Sequence, residues 1–75
     1  MDWRRIVGDN VRRLRVARGL TQEQLAFESQ IDLTYLGGIE RGRRNPSLLV
    51  MSRVAKALAV EPAILLERPD VERAP

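Results

Sequence analysis

Residues Leu20–Gly42 read LTQEQLAFESQIDLTYLGGIERG, and the way this stretch divides decides the fold. Thr21 with Gln24 three residues later is the pattern of a capping box, in which two side chains satisfy N–H groups that a helix start leaves unpaired. It predicts a helix over about 22–29, with Leu25, Ala26 and Ser29 as its inward stripe. Asp32 is the next residue suited to cap a helix, and Leu36 and Ile39 are the buried positions of a second one, about Leu33 to Arg41. Gly42 closes it, because glycine takes the left-handed backbone of a helix end without strain. Only Ser29-Gln30-Ile31 lies between the two helices, with Ile31 turned inward. The pair is therefore joined by a tight turn and followed by a basic loop.

The flanking sequence reads as support for this pair. Val7, Val11, Leu14 and Arg18 recur at three- and four-residue spacing with Ile6 beside them, which predicts a first amphipathic helix over about Asp2 to Arg18, arginine-rich on its outer face and stopped by Gly19. Trp3, at its start, reads as packing over the edge of the domain. Downstream, Pro46 cannot continue a helix and Ser47 can cap a new one, about Leu48 to Leu58, with Leu48, Met51, Val54, Ala55 and Leu58 facing the core. Glu61-Pro62 opens a short fifth helix with Leu65 and Leu66 as its apolar contacts. The expectation is an all-α domain over residues 1–67 and a frayed, charged tail over 68–75.

Composition narrows the chemistry. With no cysteine and no histidine among 75 residues, disulfides, thiolate metal sites and imidazole acid–base catalysis are excluded. No catalytic residue, metal or cofactor is expected. No apolar run nears the roughly 20 residues that cross a bilayer, and the charged opening has no signal-peptide core, so a cytoplasmic location is expected, with no membrane partner. A domain this small buries only about 60% of its unfolded surface, which favours an efficient core or one shared with a second copy.

The net charge of +3 is unevenly spread. Residues 1–19 carry six arginines against Asp2 and Asp9, whereas 61–75 carry four acids against Arg68 and Arg73. One end attracts polyanions, and its cations are arginines, whose planar fork suits phosphates and guanine edges.

Several short pieces taken together resemble a known family: RGLTQ at 18–22, LA at 25–26, YL at 35–36, IERG at 39–42, NPS at 45–47 and AKAL at 55–58. They are similar to the lambda-repressor-like helix-turn-helix domains of phage Cro and repressor proteins and of many small bacterial regulators. The likeness runs from about Val7 to Leu66. It implies a compact five-helix DNA-binding domain with a central helix-turn-helix, acting as a sequence-specific regulator of transcription on double-stranded DNA. Within the family, TYLGGIERG looks most like the controller proteins of restriction-modification systems, dimers that regulate their own operons; free-standing regulators share it too.

The resemblance also assigns roles. The helix from Leu33 would enter the major groove, where base edges are distinguishable, and Leu33, Thr34 and Tyr35 would face bases and nearby phosphates while Gln22 donates to a phosphate. Leu33 offers only apolar contact where many relatives carry a polar residue. Gly37 and Gly38 are read as bare positions on the exposed face, with Gly38 among the DNA-facing residues. Direct readout is then thin, so DNA shape should carry much of the specificity, with Arg41, Arg43 and Arg44 on phosphates. The family has glycine at the position of Gln30, so either the turn differs or Gln30 takes positive φ. Glu40 lacks any partner for acid catalysis and is assigned instead to a structural ion pair with Arg15.

One recognition helix with few readers discriminates poorly, so a dimer on a palindromic operator is expected, with Leu49, Val50 and Ile64 as its surface. The rival reading is an antitoxin or adaptor module that binds a protein, with DNA binding secondary. The combination of Gln22, Thr34, Arg43 and Arg44 favours DNA. Too few residues remain for a small-molecule sensor.

Overall fold

Each helix begins on a capping side chain that the sequence supplies. A computed structural model of the chain describes residues 1–68. Asp2 accepts from the N–H groups of Arg4 and Arg5 to open α1 (Trp3–Ala17). Thr21 and Gln24 close a complete capping box on α2 (Gln22–Ser29). Asp32 accepts from Tyr35 N–H to open α3 (Leu33–Glu40), and Ser47 from Val50 N–H to open α4 (Leu48–Ala57). Such a cap stabilises a helix by about 1 kcal/mol, which matters most for α2 and α3, too short to persist alone.

The ends follow one rule as well. Gly19, Gln30, Gly42 and Ala59 all take positive φ, between 59 and 73°. The next residue's N–H then returns to a carbonyl five residues back: Leu20 to Arg15, Ile31 to Ala26, Arg43 to Gly38 and Val60 to Ala55, at 2.9 to 3.1 Å. These bonds satisfy carbonyls a helix end would leave open. Two of the four left-handed residues are not glycine, a strain on the order of 1 kcal/mol each. Gln30 thus keeps the tight turn between α2 and α3 at that cost.

The core lies where the four helices converge. Leu25, Leu36, Ile39, Leu58 and Leu65 are its largest wholly buried apolar side chains. α1 packs on α3, α2 on α3 and α4, and the final turn bridges α1 and α4. Gly8 sits where α1 crosses the end of α3, and a Cβ placed there would fall on the Ile39 carbonyl oxygen. The two backbones meet because that methyl is missing.

Three expectations change. The fifth helix is a 3₁₀ turn, Pro62–Leu66. Its hydrogen bonds span three residues, with Ile64 N–H reaching Glu61 O at 3.0 Å, the spacing usual for short single turns at the end of a chain element. Only Leu65 of its leucines is buried; Leu66 is 43% exposed. Leu48 has the spacing of the core stripe, yet it is 81% exposed, while Val50 and Met51 of the same turn are covered by the core.

A buried Asn10 ties the last turn to α1. Its Nδ2 donates to the Leu65 and Glu67 carbonyl oxygens, each at 2.8 Å. Of the expected frayed tail, 68–75, residues 69–75 lie outside those described. Arg68, its first residue, is half-buried, and its guanidinium donates to the Met1 sulfur at 3.9 Å. Among the described residues no helix is long and apolar enough to cross a membrane.

Candidate nucleic-acid interface

Behind the helix pair stands a network that fixes its orientation. Glu40, 7% exposed at the end of α3, accepts from Arg15 Nε at 2.7 Å and from Arg15 Nη2 at 3.0 Å. The remaining Arg15 nitrogen donates to the Leu20 carbonyl at 2.8 Å, so one guanidinium joins α1, the approach to α2 and α3. A two-pronged arginine–carboxylate pair is among the stronger charged contacts, and it holds direction as well as distance. The Arg15–Glu40 pair assigned by family likeness is present in the fold.

Gln22 joins the same network. Its Nε2 donates to Glu40 Oε1 at 3.0 Å, so the side chain expected to reach outward for a phosphate turns inward to α3. One amide hydrogen and the free backbone N–H groups at the start of α2 remain for an anion. The inward contact has a plain cause: Glu40 offers four lone-pair directions, and Arg15 fills only two.

The outer surface starts at Leu33, 43% exposed, and at the exposed Thr34. Tyr35 is half-buried, its ring covered by Arg44, whose guanidinium carbon lies 5.9 Å from the ring centroid. Gly37 and Gly38 are buried, not bare. A Cβ at Gly37 would stand 3.1 Å from an Arg41 terminal nitrogen, and one at Gly38 would stand 2.6 Å from Arg44 Cγ. The exposed face expected at the two glycines is therefore covered by arginine side chains folded back from the helix end and the loop. Gly38 can touch DNA only once Arg44 moves.

Arg41, Arg43 and Arg44 are themselves exposed. The loop they occupy adjoins the start of α1, where the Arg5 backbone approaches Gly42 closely enough that a Cβ on the glycine would lie 3.2 Å from Arg5 Cα. Arg5 of the amino end thereby lies beside the basic loop, a juxtaposition that depends on how α1 crosses α3. Of the other arginines in that end, Arg4 pairs with Asp2, Arg13 donates to Asn10, Arg15 to Glu40 and Arg18 to the Leu58 carbonyl.

The expected dimer residues lie on α4 and the last turn. Leu49 is 62% exposed, whereas Val50 and Ile64 are half-buried. Leu48 and Leu66, assigned to the core from spacing, extend this apolar surface outward. Trp3 and Leu66 also line a shallow cleft with Pro46 and Met51. Phe27 is 85% exposed on the outer face of α2, and no periodic pattern in the sequence marks a lone outward aromatic.

A short capped helix, a left-handed turn, a second short helix and a basic loop define a helix-turn-helix domain. A Helix-turn-helix family model matches residues 11–65, and the chain belongs to that family. Over 60 residues it is 47% identical to the uncharacterized HTH-type transcriptional regulator y4dJ of Sinorhizobium fredii, covering 80% of this chain and 78% of that one. It is 43% identical over 65 residues to the control protein C.BamHI of Bacillus amyloliquefaciens, covering 85% and 80%. Among solved structures, the restriction-modification controller protein C.AhdI from Aeromonas hydrophila superposes with a TM-score of 0.81 at 48% identity, over 83% of this chain and 94% of that one. The chain is a DNA-binding regulator of transcription with the lambda-repressor-like fold.

Proposed function

We propose that this protein binds a palindromic operator as a homodimer and acts, like the controller proteins it resembles, on the operon that encodes it. The observation that carries the reading is that separate elements are exposed for each task. α3 and its loop leave Leu33, Thr34, Arg41, Arg43 and Arg44 open, and α4 with the last turn leaves Leu48, Leu49 and Leu66 open, so different residues can engage DNA and a second copy. Two copies would present two recognition helices about one turn of DNA apart, roughly 34 Å. In this reading the protein acts in the cytoplasm without chemistry of its own. Arg43, Arg41 and the amino-terminal arginines supply attraction to phosphates, and Leu33 and Thr34 touch base edges.

Selection of duplexes from a random-sequence pool by the purified protein tests this directly. The expected product is a palindrome with half-sites about 10 base pairs apart, bound by a particle twice the 8.5 kDa chain mass in sedimentation. An unenriched pool, or a particle that stays monomeric at every concentration, would overturn the proposal.

A further inference from the structure

We infer that Tyr35 and Gly38 are positioning residues for Arg44: together they form a seat that holds this arginine at a fixed reach from α3, where it meets a backbone phosphate and senses the width of the groove. The inference rests on the DNA-binding reading above and names the side chain that discriminates within it.

Two independent contacts build the seat. The Arg44 guanidinium lies over the Tyr35 ring, 5.9 Å from its centroid, close to the outer limit of about 6 Å for attraction between a cation and an aromatic face. Its aliphatic stem runs across Gly38, where a Cβ would stand 2.6 Å from Arg44 Cγ and 3.5 Å from Nε. Real Cβ atoms do not approach that closely, and Cγ is near the root of the side chain rather than its mobile tip. Alanine at 38 therefore displaces the arginine as a whole.

Tyr35 and Gly38 are three residues apart on α3 and share one face. Arg44 is exposed, so the seat holds the stem while the charged end stays open to a partner. A free arginine samples many rotamers and can follow a phosphate over a range of distances, attaching the protein to any duplex. A seated one reaches a phosphate only where the groove has the matching width. Groove width depends on base sequence, so such an arginine converts shape into discrimination without touching a base. It also explains why a helix with only Leu33 and Thr34 at its tip needs no longer reader: the face is furnished from the loop.

The test uses the full chain and the duplex that the wild type selects, with a second duplex altered only at central base pairs to widen the minor groove. Gly38→Ala is expected to bind the selected duplex about tenfold more weakly while binding the altered one nearly as before, so discrimination collapses. Alanine favours helix, so melting should be unchanged or higher, which separates the effect from unfolding. Tyr35→Leu should behave as Gly38→Ala, and Tyr35→Phe, which keeps the ring, should retain the discrimination between the two duplexes whatever it does to overall affinity. Arg44→Ala should lose the same discrimination and lower the salt slope by about one unit. Adding Gly38→Ala to it should change nothing further. Additive losses would mean that the new methyl strikes the DNA itself, and would overturn the seat. Unchanged discrimination in Gly38→Ala would overturn it too. In the free protein, ring-current shifts of the Arg44 side-chain protons should disappear in Tyr35→Leu; their absence from the wild type would remove the seat whatever the DNA result. A wild type that enriches no duplex would instead bring down the DNA reading, and this inference with it.

Discussion

The α2–α3 pair and the segment from α4 to the last turn are held in place by different means. In the first, direction is set by polar contacts between named atoms: a capping box, an Asp32 cap, and the Arg15–Glu40–Gln22 network beneath. The second is mainly an apolar stripe, with the Ser47 cap, an Arg18 hydrogen bond to the Leu58 carbonyl and the buried Asn10 as its polar contacts among the described residues, and it leaves Leu48, Leu49 and Leu66 in solvent. Hydrogen bonds specify geometry, whereas apolar burial supplies energy and tolerates repacking. On the function proposed above, the surface that would match the spacing of a groove is built on the former, and the surface that would adhere to a second copy rests on the latter.

That contrast can be broken in three ways. Glu40→Gln removes the carboxylate while leaving Arg15 mostly buried, and should destabilise the domain by about 3 kcal/mol. Thermal melting would then fall by on the order of 15 °C, and an unchanged midpoint would show that polar contacts do not hold the first region. Asn10→Ala takes the donor from the buried Leu65 carbonyl and should cost about 2 kcal/mol, read as a lower urea midpoint. A loss as large as that of Glu40→Gln would erase the distinction, because the second region would then depend equally on one polar residue. The smallest effect on folding is expected from Leu48→Ser with Leu49→Ser, within about 0.5 kcal/mol for the folded chain. The same pair should weaken self-association at least tenfold in sedimentation; an unaltered dimer would place the contact elsewhere.

What could be read from the sequence follows the range of the interactions. The caps at Thr21, Asp32 and Ser47 were legible because donor and acceptor lie within three residues. The buried stripe of α2 and the core positions Leu36, Ile39, Met51, Val54, Ala55 and Leu58 followed from helical spacing. Spacing tells which face a residue occupies, however, and not whether another element covers it, which is why it points Leu48 inward, and apolarity alone does not tell Leu66 from Leu65. Asn10 was invisible because its carbonyl partners lie 55 and 57 residues away. Gln30 and Ala59 take positive φ because of hydrogen bonds made by the residues after them, and nothing in an alanine announces that.

The candidate site divided in the same manner. The exposure of Leu33, Thr34, Arg41 and Arg43 follows from α3 having its apolar residues on the other side. Gly38 was read as bare because the covering side chain comes from Arg44, beyond the helix end, and glycine by itself does not reveal what lies upon it. Gln22 was read outward because the acceptor that draws it inward belongs to α3.

Gly8 has a mechanical consequence. At the one point where α1 crosses the end of α3, it rests directly on the carbonyls of Ile39 and Glu40, with no side chain there to repack. Together with the Arg15–Glu40 pair, that contact sets the angle at which α3 leaves the domain. On the function proposed above, a helix held at a set angle would leave part of the fitting to the duplex, whose elastic energy of bending or twisting depends on its sequence.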